Sequence, residues 1–164
     1  MSNIMGMGAL FNKKGMYLRY RMIDISEKEI VDRSAVASGK IRLKSSTVEL
    51  IKEGRIKKGD VISTAKVAGI MAAKHTPDLL PLCHQIPIEK VAVNFDIKNE
   101  EITAVCEVKA SYKTGVEMEA LSCASAALLT IWDMTKYLEK DITGNYPDTR
   151  IFDLHVEKKV KSHA

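Results

Sequence analysis

An acid and an amine three residues apart, Asp133 and Lys136, close the stretch from Lys113 to Lys136, K-T-G-V-E-M-E-A-L-S-C-A-S-A-A-L-L-T-I-W-D-M-T-K. At helical spacing the two share a face. They read either as a solvated pair or, because Ala126 and Leu129 lie on the same stripe, as one wall of a cleft. Lys58 stands just ahead of Asp60, a good helix N-cap. A lysine beside free backbone N–H groups can hold phosphate, although lysines before helices are also ordinary surface residues. His84 follows Cys83 in an apolar run bracketed by Pro81 and Pro87. It is either a structural imidazole bonded to backbone or a side chain presented on a rigid loop. Arg33 falls on the apolar side of an alternating segment, where it either reaches solvent at a strand end or points into an anion pocket. Amines, an acid and an imidazole in one chain suit proton transfer beside a bound anion.

The elements that must carry these residues follow from periodicity. Gly115 allows a sharp turn, Glu117 and Glu119 fall in a first helical turn where the macrodipole favours negative charge, and the helix continues to about Tyr137. One stripe of it is Glu119, Ser122, Ala126, Leu129, Asp133 and Lys136. The neighbouring stripe, Met118, Leu121, Ser125, Leu128 and Trp132, is the expected core face. The small residues from Ser122 to Ala127 let another backbone approach closely.

Residues from Val31 to Leu43 alternate with period two and predict a strand. A short helix is expected from Ser45 through Ile51, stopped by Gly54, and a second from Val61 to about Lys74. Thr76-Pro77-Asp78 breaks that helix, and the prolines after it rule out a central strand, leaving a half-buried loop that presents His84. Strands follow over Val91–Ile97 and Ile102–Val108, the second placing Cys106 in the core. After the long helix comes a Gly/Asn/Pro loop and a last strand at Phe152, Leu154 and Val156. The order is strand, helices, strand, strand, helix, strand. It predicts an α+β, ferredoxin-like fold, an antiparallel sheet with helices packed on one face.

Composition bounds the rest. The 164 residues suit one domain, over residues 21–157, between a flexible arm at 1–20 and a basic tail at 158–164. With 46% hydrophobic and 28% charged residues the chain reads as globular, and no apolar run is long enough to span a membrane. Cys83, Cys106 and Cys123 are odd in number and lack C-x-x-C spacing, which argues against a disulfide framework or zinc finger and points to a reducing cytoplasm. Cys83 beside His84 suggests a metal, but adjacent residues seldom converge on one ion and there is no second ligand pair, so no metal site is expected. A formal charge of +4 suits a small anionic ligand. With 5% aromatic residues, nucleic acid is not an expected partner.

Four motifs in order, K-G-D-V-I-S-T-A-K-V-A-G-I-M-A-A-K, D-L-L-P-L-C-H, K-T-G-V-E-M-E-A-L and D-M-T-K, closely resemble the MoaC family, the cyclic pyranopterin monophosphate synthases of molybdenum cofactor biosynthesis, over roughly Met22 to Lys140. The resemblance implies a lyase that rearranges 3',8-cyclo-7,8-dihydro-GTP into the pyranopterin, closes a cyclic phosphate and releases pyrophosphate. It further implies that Asp133, Lys58 and Lys136 are catalytic. Leu82, Cys83 and His84, together with Glu117, Met118 and the adjoining Glu119, would contact substrate, and Arg33 and Lys113 would meet the phosphates. Amines packed near one another would lower a lysine pKa toward the working range. The family assembles as a homohexamer, a trimer of dimers with active sites across the dimer interface. No cofactor is required by the sequence, and magnesium can accompany the triphosphate. Many members end in a Gly-rich K-S-G-G-K-S-G tail. This chain ends differently, leaving Lys158, Lys159 and Lys161 as alternatives for that tail's lysine. Two rivals stand beside this reading: a non-catalytic nucleotide- or anion-binding oligomer, and a metal-dependent hydrolase using Cys83 and His84.

Overall fold

The computed structural model describes residues 20–162 and, before them, a two-stranded antiparallel ribbon of β1 (Leu10–Phe11) and β2 (Tyr17–Leu18) that pairs Leu10 with Leu18 and Phe11 with Tyr17. The flexible arm expected over residues 1–20 otherwise falls outside the described residues. The main body runs β3 (Val31–Arg42), α1 (Ser45–Lys52), α2 (Val61–Lys74), α3 (Thr76–Leu79), β4 (Lys90–Ile97), β5 (Glu101–Tyr112), α4 (Glu117–Glu139) and β6 (Arg150–Ser162). The four long strands form one antiparallel sheet in the order β4-β5-β3-β6, and the helices pack on one of its faces. This is the α+β, ferredoxin-like architecture. Among the described residues no helix is long and apolar enough to cross a membrane.

Helix α2 starts where the sequence says it should: the Asp60 carboxylate accepts from the Ser63 backbone N–H at 2.9 Å and from its hydroxyl at 2.6 Å. The Thr76-Pro77-Asp78 break is itself a single helical turn, α3, with proline in its first positions where no backbone donor is missed.

The core lies between the sheet and the α2–α4 layer. Ala35, Ala37 and Ile41 of β3, with Ile102, Ala104, Cys106 and Val108 of β5, face Ala120, Cys123, Ala124, Ala127, Leu128 and Ile131 of α4, all essentially inaccessible. The expected core stripe of α4 is therefore wrong by about one residue step, roughly 100° of rotation. Met118 is 40% exposed, Leu121, Ser125 and Trp132 are half-buried, and only Leu128 of that set is fully enclosed. The physical reason is fit. The sheet face is rich in alanine, and α2 presents Ala65, Gly69 and Ala73, so the closest approach belongs to small residues and the bulkier ones flank it. A Cβ on Gly69 would lie 3.1 Å from both the carbonyl oxygen and the Sγ of Cys123, which makes this glycine the spacer between α2 and α4. The hydrogen bond that the Cys106 thiol donates to Cys123, and then burial, push that thiol up and leave it inert.

The residues read as a basic tail from Lys158 onward form, through Ser162, the end of β6. Register shifts between Val36 and Ala37 and between Ser38 and Lys40 pair Val156 with Ala37 but Lys159 with Ala35 and Lys161 with Arg33. Lys159 and Lys161 thus stand on the helix-covered side of the sheet beside Arg33, and Lys158, opposite Val36, stands on the other.

Candidate active site

The turn before α2 carries Lys58 to the last third of α4. Its backbone is held by Tyr137, whose hydroxyl accepts from the Lys57 N–H at 3.1 Å while the Lys57 ammonium sits 5.8 Å from the Tyr137 ring centroid. Lys58 Nζ donates to Asp133 Oδ2 at 2.8 Å and to the Asp133 carbonyl at 2.9 Å, and Lys136 Nζ lies 2.7 Å from Asp133 Oδ1. Two amines thus share one carboxylate, each half-exposed and with N–H groups free for a ligand. The hydrogen bond from Lys136, followed by that from Lys58, holds the Asp133 carboxyl down at about 2. Asp133 in turn raises the pKa of Lys136. The expectation that crowded amines lower a lysine pKa is not met at Lys136, where the hydrogen bond to the Asp133 carboxylate is the largest influence.

At the other end of α4, Leu82, Cys83, His84, Met118 and Glu119 line a pocket of about 220 Å³, with Ile23, Ile25, Lys28, Ile86, Thr114 and Gly115 completing it. His84 Nε2 lies 2.8 Å from the Ile23 carbonyl. A carbonyl only accepts, so Nε2 carries a proton and Nδ1 is the nitrogen left for a ligand. Burial, reinforced by Glu119, pushes the Cys83 thiol up. Glu119 is 3% exposed, and its Oε2 is buried without a hydrogen-bond partner among the described residues. Burial raises its pKa, its own backbone N–H opposes the shift and the neighbouring Glu117 adds to it. Glu117 itself makes an ion pair with Lys159 of β6. Its carboxylate folds over Gly115, where a Cβ would lie 1.8 Å from Oε2, so a side chain at that position would push the Glu117 carboxylate aside.

Arg33 and Lys113 are placed less simply. Arg33 Nε donates to the Tyr112 carbonyl at 2.8 Å and one terminal nitrogen donates to the Lys113 carbonyl at 3.3 Å. Part of the guanidinium thus fixes the turn leading to Gly115, while the residue also lines a separate cavity of about 290 Å³ with Lys109 and Ser162. Lys113 Nζ donates to the Ser26 carbonyl.

The sequence-predicted residues therefore form two groups. Lys58, Asp133 and Lys136 meet at one end of α4; Leu82, Cys83, His84, Met118 and Glu119 meet at the other, with Glu117, Lys113 and Arg33 around them. Glu119 and Asp133 are fourteen residues apart on one helix, about 21 Å along its axis. Two contributors were missed from sequence, Tyr137 and the Ile23–Lys28 segment, while Lys159 was one of the three tail lysines left open there. Tyr137 follows Lys136 directly, a tyrosine beside a cation at a helix end, and was visible as such. The place of the Ile23–Lys28 segment, like the choice of Lys159 among the tail lysines, depends on long-range packing that leaves no local signal.

An α+β domain that holds two lysines on one carboxylate, and a histidine and a buried carboxyl around a small pocket, is equipped for acid–base chemistry on an anionic small molecule. Residues 22–162 match the model of the MoaC family. A protein of Pyrococcus horikoshii is 57% identical over 143 residues, covering 87% of this chain and 90% of the relative, and one of Thermococcus kodakarensis is 57% identical over 141 residues, covering 86% and 90%. One of Sulfolobus acidocaldarius is 56% identical over 143 residues, covering 87% of this chain and all of the relative. Each of the three is named "probable cyclic pyranopterin monophosphate synthase". The chain belongs to the MoaC family.

Proposed function

We propose that the chain converts 3',8-cyclo-7,8-dihydro-GTP to cyclic pyranopterin monophosphate with release of pyrophosphate, a lyase step of molybdenum cofactor biosynthesis in the reducing cytoplasm. The observation that carries this reading is the meeting of Lys58 and Lys136 on the Asp133 carboxylate. Asp133, ionised at any physiological pH, orients two ammonium groups. Lys136, its pKa raised, acts from the protonated form as acid and as countercharge to the polyphosphate. Once substrate oxygens compete for the Asp133 contacts, a lysine that has given up its proton is the base for the next step. His84, through Nδ1, and Arg33, through the donors not spent on Tyr112 and Lys113, meet phosphate. Magnesium would enter with the triphosphate that it accompanies.

The working site takes both ends of α4, and the 21 Å between them is too far for one nucleotide's reacting atoms. The reading is therefore of a dimer in which Asp133 of one subunit faces the Glu119 pocket of the next, and the family resemblance implies that such dimers assemble as a trimer of dimers. Ala126 lies midway between the two along α4, and a two-fold axis crossing the helix there exchanges its ends. Leu129, 60% exposed, and Met118 flank that point on the helix, and Val67 of α2 is 61% exposed.

The test is pyrophosphate release from the cyclised GTP intermediate by the purified chain, with Lys58→Met as control. A chain that binds GTP but releases no pyrophosphate from the intermediate would be a binding oligomer. For the shared site, Lys58→Met and His84→Ala chains are unfolded together and refolded. Half the dimers are then mixed and each carries one intact site, so about a quarter of wild-type activity returns. No recovery in refolded mixtures that contain mixed dimers would put the whole site in one subunit.

A further inference from the structure

The loop that leaves α4 is built around one inward ring. Over residues 141–148 every residue is exposed except Tyr146, which is half-buried. The Asp141 carboxylate accepts from the Thr143 N–H at 2.8 Å, from the Thr143 hydroxyl at 2.7 Å and from the Asn145 N–H at 3.0 Å, while the Asp141 N–H donates to the Asn145 carbonyl at 2.9 Å. Gly144 closes the turn in the left-handed region, at φ 84°. The Thr149 hydroxyl ties the far end to Glu139 of α4. A loop fixed at both ends thus delivers Tyr146 to Trp132 of α4, with ring centroids 5.7 Å apart and planes tilted by 60°, an arrangement that aromatic pairs favour. Trp132 directly precedes Asp133 and lies one helical turn before Lys136, on the same side of α4.

Lys136 needs such a neighbour. Its contact with Asp133 joins two half-exposed side chains three residues apart on one helix, and pairs of that kind contribute little because a long lysine stem loses freedom when it is held in one geometry. Chemistry that uses the ammonium requires it in one place. Resting on the proposed function, we propose that Tyr146 is a positioning residue of the reaction, its ring clamped on Trp132 so that it walls the Lys136 stem and keeps the ammonium on Asp133, where substrate meets it. The groups around Lys136 fit that role. Asp133 acts on it first, by hydrogen bond and charge, burial opposes, and the Tyr146 phenol acts last, so the loop brings the phenol close enough for its charge to reach the lysine. Lys58, from the turn before α2, holds the other oxygen of the same carboxylate. Tyr137, the other phenol at this end of α4, is spent on the Lys57 backbone. One tyrosine thus fixes the turn that carries Lys58, and Tyr146 does the corresponding work for Lys136.

Lys136 and turnover are read separately. The full chain is labelled with ¹³C-lysine and titrated by NMR as wild type, Tyr146→Phe, Tyr146→Ala and Asp141→Ala, with Lys136→Met assigning the signal. In wild type Lys136 titrates above the ordinary lysine value of 10.5. Phenylalanine keeps the ring and removes only the phenol's charge, the last of the influences on Lys136, so the titration stays near wild type. Alanine removes the wall, the contact with Asp133 slackens, and Lys136 falls back toward 10.5. Asp141→Ala dissolves the loop's own network while keeping the ring; it moves Lys136 the same way by less, and carries the test if Tyr146→Ala does not fold. Pyrophosphate release should follow, with kcat within about two-fold for Tyr146→Phe and about tenfold lower for Tyr146→Ala, KM staying within a few-fold in both. Lys136 unmoved in the alanine variants that fold, wild-type kcat in Tyr146→Ala, or a phenylalanine variant as poor as the alanine one overturns the proposal. Lys136 moving as expected in a protein whose wild type releases no pyrophosphate from the cyclised intermediate would overturn the proposed function and leave the positioning of the lysine standing.

Discussion

Glu139, in the last turn of α4, is 1% exposed and ties three elements together. Its carboxylate accepts from the Thr47 hydroxyl of α1, from the Thr149 hydroxyl just before β6 at 2.6 Å, and from the Lys44 backbone N–H at 3.2 Å to both oxygens. Lys44 is the N-cap of α1 and offers no side-chain cap, so an acid from a different helix does the capping and meets the positive end of the α1 dipole. Lys44 reciprocates, its Nζ donating to the Leu138 carbonyl at 3.1 Å and to the Lys140 carbonyl at 3.4 Å, where α4 has no further donors of its own. Replacing Glu139 by leucine keeps the volume and leaves one half-buried N–H and two buried hydroxyls without their acceptor. Hydrogen bonds to a charged group contribute roughly 1.5–3 kcal/mol each and do not add fully, and breaking a buried charged network by removing one member costs about 3–5 kcal/mol. The expected loss is therefore about 3–5 kcal/mol for Glu139→Leu. It is about 1–2 kcal/mol for Glu139→Gln, which keeps one oxygen and can donate to a threonine hydroxyl. Urea unfolding followed by circular dichroism, at one fixed protein concentration because oligomers are stabilised by mass action, measures both. A leucine variant within about 1 kcal/mol of wild type would show that the clamp contributes nothing beyond its shape and refute the reasoning.

Lys58→Met, Lys136→Met and Asp133→Asn should each lower the pyrophosphate-release kcat by about 10²–10⁴-fold, with far-UV circular dichroism unchanged because all three side chains are about half exposed; near-wild-type turnover in any of them removes that residue from the chemistry. Tyr137→Phe deletes only the hydroxyl that accepts from Lys57, so it should cost a few-fold in kcat while leaving KM unchanged, and an unaltered kcat would mean the Lys58 turn is held by other contacts. The folded pKa of Asp133, about 2, lies below its ordinary 3.8, so its contribution to stability is complete above about pH 4 and is lost as pH falls toward 2. Acid unfolding of wild type should consequently be steeper over that window than that of Asp133→Asn; identical acid limbs would show that the lysine contacts are absent in solution.

Much of this architecture was legible because local chemistry and tertiary position agreed. Asp60 is an N-cap in sequence and in space, so α2 begins at Val61 as expected, and the period-two run from Val31 is a strand to Arg42. The long helix was legible in extent but not in rotation. Two adjacent stripes of α4 were both plausible cores, and the choice fell to the alanine-lined sheet face and Gly69, which only packing brings opposite. The end of β6 was illegible for a sharper reason. Phe152, Leu154 and Val156 alternate, and continuing that alternation would send Lys158 to the helix side. The bulges in the pairing with β3 move the register by single residues, which in a strand exchanges the two faces, and Lys159 arrives at Glu117 instead. A lysine's identity was readable there; its direction was not.

The same distinction between residue and place governs the candidate site. Lys58 and Asp133 are separated by 75 positions, and what joins them is the small-residue contact of α2 on α4 together with the Tyr137 hydroxyl. That contact is rigid, since the helices meet at backbone distance and neither has a long side chain there to yield. The lysines at one end of α4 and the Glu119 pocket at the other are consequently held at a fixed separation within each chain. Side-chain motion of a few ångströms cannot close about 21 Å. In the proposed oligomer a nucleotide that uses both ends finds the second on another copy, so the helix that keeps the two halves apart in one subunit is also the element whose stripe, from Met118 past Ala126 to Leu129, lies between them. In that proposed assembly, association and chemistry depend on the same face, and a substitution such as Ala126→Leu should weaken both together, read as subunit mass by sedimentation and as pyrophosphate release; a variant that loses one and keeps the other would refute the shared face.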